Sequence, residues 1–223
     1  MKKSIAIAAA AVILFGCIFA AGCTTTSDQI TGTWYSSGYF DDKYTMTIDT
    51  INADGTGTEV TADISEKKYE STFTWKNTGN GTYILTYDDQ STDTLTFNAE
   101  YDTFISENFA NAITWRLTST QESADKAVAY FTEATWSAEG LFYGYEATAL
   151  VSPKADGTGL AVFSYEDGEV EECPFTWTYA GTTSNQNACF ILTFEGGDFC
   201  IYSLDMDLGF GTASTDVVYF KND

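Results

Sequence analysis

The chain has 223 residues, 32 of them acidic against 10 basic, and no histidine, for a formal net charge of −22. That charge excludes a nucleic-acid partner, because binding a phosphate backbone needs a basic footprint, and it equally opposes docking onto anionic lipid. The absence of histidine removes the commonest general base, the commonest metal ligand and every histidine-containing triad, while an aromatic content of 16% excludes disorder. Solubility in salt or attraction of cations suits such a surface better, although acidic surfaces are common on exported proteins.

Met1-Lys2-Lys3 opens the chain, an apolar run follows from Ile5 to Ala21, and Gly22-Cys23 ends it before the polar Thr24-Thr25-Thr26-Ser27-Asp28. Two lysines, an apolar stretch and small residues before a cysteine read as a secretory signal over residues 1–22. Ala20-Ala21-Gly22-Cys23 resembles the lipobox of prokaryotic surface lipoproteins, bacterial or archaeal, with Ala20 where leucine is usual. The resemblance implies a diacylglyceryl group on Cys23, a membrane anchor at that residue and an extracytoplasmic location. Leu14-Phe15-Gly16-Cys17 is a second match, but it leads into more apolar residues. The alternative is an uncleaved membrane anchor, since about 20 apolar residues span a bilayer. Cleavage would remove two lysines and no acids, leaving 8 basic and 32 acidic residues and a charge of −24. Residues 23–30 then carry the lipidated cysteine and a short polar tether.

Beyond the tether the chain repeats itself. Gly32-Thr33-Trp34 returns as Ala134-Thr135-Trp136, Ala53-Asp54-Gly55-Thr56-Gly57 as Ala155-Asp156-Gly157-Thr158-Gly159, and Phe73-Thr74-Trp75 as Phe175-Thr176-Trp177. Ile84-Leu85-Thr86 returns as Ile191-Leu192-Thr193 with a larger displacement, which places an insertion near Thr182–Asn187 in the second copy. Recurrence of this kind marks a duplicated structural unit. Each copy reads as short strands. Tyr44, Met46 and Ile48 alternate with Thr45, Thr47 and Asp49, and Tyr69, Ser71, Phe73 and Trp75 with Glu70, Thr72 and Thr74. Alternation with β-branched and aromatic enrichment predicts half-buried antiparallel strands. Asp54-Gly55, Asn80-Gly81, Asp156-Gly157 and Asp167-Gly168 predict hairpin turns. The fold class is therefore all-β: two tandem antiparallel meanders, roughly six to eight strands each, closing as small barrels or sandwiches.

One helix lies between the copies. Ser119-Thr120-Gln121-Glu122 reads as a capping box, and Ala124, Ala127, Val128 and Phe131 follow at helical spacing. The chain thus divides into a signal (1–22), a tether (23–30), β unit 1 (31–118), a linker helix (119–132) and β unit 2 (133–223). The Gly-Thr-Trp opening, the hairpins and the Ala-Asp-Gly-Thr-Gly turn resemble the lipocalin-like domains of small exported lipoproteins. That resemblance implies up-and-down barrels, each plugged at one end by an early tryptophan, here Trp34 and Trp136.

Candidate chemistry is sparse. Trp34, Tyr35, Tyr39, Phe40, Trp136, Phe142 and Tyr143 cluster around the first strand of each unit. They offer a stacking surface for a small apolar ligand or a saccharide, or a docking face for an envelope protein; equally, they close the barrel ends. Cys173, Cys189 and Cys200 occur only in the second copy, opposite roughly Ser71, Thr82 and Leu95 of the first, and read as buried apolar residues rather than a zinc site. The acidic clusters Asp41-Asp42, Asp88-Asp89, Glu171-Glu172 and Asp205/Asp207 read as solvated loops. Asn80-Gly81-Thr82 is a glycosylation sequon at a loop tip. No cofactor, metal or catalytic residue is indicated. The expectation is a non-enzymatic, membrane-anchored lipoprotein with a binding or structural role. The alternatives are a carrier of a small apolar ligand and, more remotely, an extracellular hydrolase using two carboxylates.

Overall fold

A computed structural model describes residues 29–40, 43–63, 68–107, 113–142, 145–195, 197, 199–213 and 217–222. The signal-like segment, Cys23 and Tyr143 lie outside the described residues, as do the side chains of Tyr39 and Phe40. No helix among the described residues is long and apolar enough to cross a membrane.

The first unit is an eight-stranded antiparallel meander: β1 (Gly32–Phe40), β2 (Lys43–Ile51), β3 (Thr56–Asp63), β4 (Lys68–Gly79), β5 (Thr82–Tyr87), β6 (Thr92–Asn98), β7 (Thr103–Ser106) and β8 (Ile113–Leu117). It closes as a barrel because β8 returns to β1, with Trp34 opposite Arg116. After helix α1 (Gln121–Thr132), the second unit repeats the plan with β9 (Thr135–Phe142), β10 (Tyr145–Pro153), β11 (Thr158–Tyr165), β12 (Val170–Thr182), β13 (Asn187–Phe194), β14 (Phe199–Asp205), β15 (Phe210–Ala213) and β16 (Val218–Asn222). There β16 closes on β9, with Trp136 opposite Lys221. Among the described residues the protein is all-β apart from one helix, in two tandem closed barrels.

The repeated turns fold alike. In each Ala-Asp-Gly-Thr-Gly segment an aspartate Oδ1 accepts from the threonine backbone N–H at 3.0 Å and from its hydroxyl at 2.6 Å: Asp54 with Thr56, Asp156 with Thr158. Gly55 and Gly157 supply the positive φ, 87° and 83°, that a side chain would resist. These bonds stabilise the ionised carboxyls and hold Asp54 and Asp156 below the usual carboxylate range.

Each barrel is plugged at the end where its first strand begins. Trp34 Nε1 donates to the Ile30 carbonyl at 2.7 Å, and Trp136 Nε1 to the Phe131 carbonyl at 3.0 Å. Ile30 precedes β1, whereas Phe131 is carried by α1, which therefore caps the second barrel. The helix cap is displaced by one residue from the expected box. Thr120, not Ser119, is the N-cap, and its reciprocal partner is Ser123 rather than Glu122.

The barrels pack side by side through their outer walls. Tyr35, Met46, Ile48, Ala62 and Leu117 of the first meet Cys189 and Ile201 of the second in one buried cluster. Thr118 and Thr182 exchange two backbone hydrogen bonds of 2.9 Å across the junction. Gly181 allows this approach: a Cβ there would sit 2.8 Å from Leu117 Cβ. Burial of each large side chain in this cluster contributes about 1.5–3 kcal/mol relative to exposure. The apolar alternation of β2 therefore faces its neighbour barrel, and Thr45, Thr47 and Asp49 face the interior.

Candidate functional site

The duplication supplies an internal control. Structurally equivalent positions, matched through the strand registers, can be compared between two barrels of the same design. The second interior is apolar. Ala138, Ala149, Val151, Ala161, Phe163, Cys200 and Ala213 are all buried in its core with Trp136, Phe142, Trp177 and Phe190. In the first barrel the same seven positions hold Ser36, Thr47, Asp49, Glu59, Thr61, Asp93 and Ser106. Every one is polar, and three are carboxylic acids. The fold closes without them, so barrel formation does not explain them.

The acids come from three strands. Asp49 on β2 and Glu59 on β3 are cross-strand partners, and Asp93 stands on β6 opposite Leu85. The same barrel holds an aromatic cluster of Phe73, Trp75, Tyr83, Phe97 and Phe104 packed with the Trp34 plug, and Trp34 is the cross-strand partner of Asp49. Tyr87 donates to Glu59 Oε2 at 2.8 Å, Thr61 to Glu59 Oε1 at 3.3 Å, and Ser106 to Asp93 Oδ2 at 2.8 Å. Asp49 is less well served: its Oδ1 is sealed from solvent and accepts no hydrogen bond. Burial, reinforced by the charges of Glu59 and Asp93, pushes the Asp49 carboxyl well above its usual range. Burial also raises Glu59, against the lowering effect of its bonds from Tyr87 and Thr61. Tyr87 is pushed up by burial and by the Glu59 and Asp49 charges, so it stays a neutral donor.

The nearby cations are engaged elsewhere. Lys43 pairs with Asp63 at 3.3 Å. Arg116 lies over the Trp34 ring at 4.1 Å and donates to Asp102, Thr31 and Gln29 through its three nitrogens. Asp49, Glu59 and Thr61 face inward yet remain only half-buried, whereas Val151, Ala161 and Phe163 are buried. Side chains therefore fill the first barrel less completely at this level.

The residues singled out by sequence take other places. Trp34 and Trp136 are fully buried plugs. Tyr35 points outward into the contact between barrels, and Phe142 packs on Phe163 and Tyr219 inside the second barrel. The structure does not bring these four into one binding surface. Asn80 sits exposed on the β4–β5 turn. Cys173 and Cys200 belong to the second core and Cys189 to the contact between barrels, and none of the three is in a disulfide. Cys200 matches Asp93 by register, not Leu95. Asp89 caps its own turn through Ser91, and Asp205 caps one through the Asp207 and Leu208 amides. Sequence reasoning passed over Asp49, Glu59 and Asp93. The available signal was the copy-to-copy contrast itself, an acid in one repeat against Val, Ala or Cys in the other.

The sequence matches no protein family and none of the curated proteins with which it was compared. Among solved structures the chain is similar to the crystal structure of kievitone hydratase from Nectria haematococca, at 9% identity and a TM-score of 0.21, over 87% of this chain and 88% of that one.

Proposed function

We propose that the protein is an extracytoplasmic lipoprotein, anchored through Cys23, whose first barrel binds a small polar ligand. The second barrel and its capping helix serve as the rigid support. The observation that carries this reading is the seven-position contrast between the interiors, which leaves Asp49, Glu59 and Asp93 inside one barrel and no acid at the matched positions of the other. Buried acids without a structural need are costly, because desolvating a carboxylate opposes folding. Their presence argues for an occupant, and against an apolar one in that barrel. An eight-stranded barrel has interior space for side chains or one small ligand, and here the side chains are mostly short.

A second reading has its own support. Asp49 and Glu59 are adjacent across strands and both hold protons more tightly than free carboxyls, the condition under which paired carboxyls act as general acid and base. Native mass spectrometry of the protein purified from its membrane separates the readings. A bound small molecule that is lost in Asp49→Val/Glu59→Ala/Asp93→Cys is the result expected of a binder. A ligand whose mass changes on incubation with the wild type, but not with that variant, would favour catalysis. A clean apo mass, with nothing captured from a metabolite extract, would remove both. The anchor is tested in the same spectra by a diacylglyceryl increment that disappears in Cys23→Ser.

A further inference from the structure

We propose that the occupant of the first barrel is a small organic cation, an amine or a quaternary ammonium, seated between Asp49, Glu59 and Asp93. The inference rests on the binding reading above and names the chemistry of its ligand. Three acids project into the interior of one barrel from β2, β3 and β6. Two cations of this barrel are committed, Lys43 to Asp63 and Arg116 to Asp102 and two backbone carbonyls. Asp49 Oδ1 is buried with no donor to satisfy it, and an ammonium N–H group supplies one. A metal ion suits the arrangement less well, since among the described residues no three acids form a group able to hold one. The acids are carried by three strands of a barrel whose core also holds aromatic rings, including Phe73 and Tyr87 at 5.6 Å between centroids. Acids and aromatic rings in one barrel match an organic cation, whose charge is attracted by carboxylates and whose carbon groups pack on rings.

Binding has a proton signature. The titratable groups facing Asp49 are Glu59 from β3, Tyr87 from β5 and Asp93 from β6, with Lys43 and Asp63 farther along β2 and β3. Burial raises the Asp49 and Glu59 carboxyls, so a cation that favours their ionised forms expels protons on binding.

The test is calorimetric titration of the full-length protein with choline, putrescine and tyramine, with glucose and calcium chloride for comparison. Each titration is run near pH 6 in two buffers of different ionisation enthalpy. At least one amine should bind one-to-one, release protons to the buffer, and lose ten-fold or more in affinity in Asp49→Val. Asp49→Asn, which keeps the shape without the charge, should lose as much. Binding of glucose or calcium with the same dependence on Asp49, and of no amine, would overturn the cation and leave the binding reading standing. Failure of every probe, together with a clean apo mass, would overturn both.

Discussion

Replacing Asp49 with valine, the residue its counterpart carries as Val151, should stabilise the protein while abolishing ligand binding. Val151 is 1% exposed in a barrel of the same register, so the position accepts the side chain. In the wild type the Asp49 carboxyl is buried with an oxygen that accepts nothing. A buried polar group left unsatisfied costs about 1–3 kcal/mol, and removing it while adding apolar burial should yield a gain of that order. For a protein of this size each kcal/mol moves Tm by about 2–4 °C, so an increase of roughly 2–12 °C is expected at pH 7. The pH dependence fixes the cause. Burial holds the Asp49 carboxyl of the folded protein well above its ordinary range. Between the unfolded pKa and the folded one, the native carboxyl holds a proton that the unfolded one has lost, so wild-type stability falls as pH rises through that window. Below the unfolded pKa, near 4, both states are protonated and the ionisation penalty is absent. The advantage of Asp49→Val should therefore shrink as pH is lowered from 7 towards 4. Thermal melts of both proteins at several pH values decide the matter. A variant less stable than wild type at pH 7, or an advantage independent of pH, would refute the reasoning.

Two further predictions concern the scaffold. A Cβ on Gly57 would lie 2.2 Å from the Phe73 ring, and one on Gly159 2.2 Å from the Phe175 ring. Gly57→Ala and Gly159→Ala should therefore each lower stability by about 1–3 kcal/mol in denaturant titrations, and an unchanged midpoint would show that the ring swings aside. Cys189 is buried between the barrels beside Ser203, and burial pushes its thiol up to about 12. Iodoacetamide at pH 8 should leave Cys189 unmodified in the native protein while reaching the half-buried Cys173 first, as read by peptide mass mapping. Rapid labelling of Cys189 would mean that the barrels separate in solution.

Much of the architecture was legible because its signals are local. The repeated Asp-Gly turns, the period-two strands and the helical spacing of Ala127 and Phe131 each report on a few neighbouring residues. The tryptophan plugs were legible through the lipocalin-like resemblance, which also implied closed barrels. The interior of the first barrel was not legible. Alternation along β2 separates Met46 and Ile48 from Thr47 and Asp49, but it does not say which face points inward. The usual assumption puts the apolar side inside; here that side is buried against another barrel, so the polar side is the interior one. The acids are also scattered in sequence, at 49, 59 and 93, and meet only through barrel closure. The cysteine alignment slipped for a related reason. Spacing alone set Cys200 against Leu95, whereas strand register sets it against Asp93, which hid the third substitution of an acid by an apolar residue.

The outer-wall contact between the barrels gives the two copies unequal freedom to vary. The second copy, with its filled core and helical lid, is the host; the first is a passenger carrying destabilising cargo in its lumen. Proteins tolerate such cargo only while total stability stays above the threshold for folding, and the shared seam lets one copy's surplus cover the other's deficit. Substitutions at Met46, Ile48 or Ile201, in the seam and away from the acids, are therefore expected to lower the stability of the whole chain and to be felt first in the acid-bearing copy.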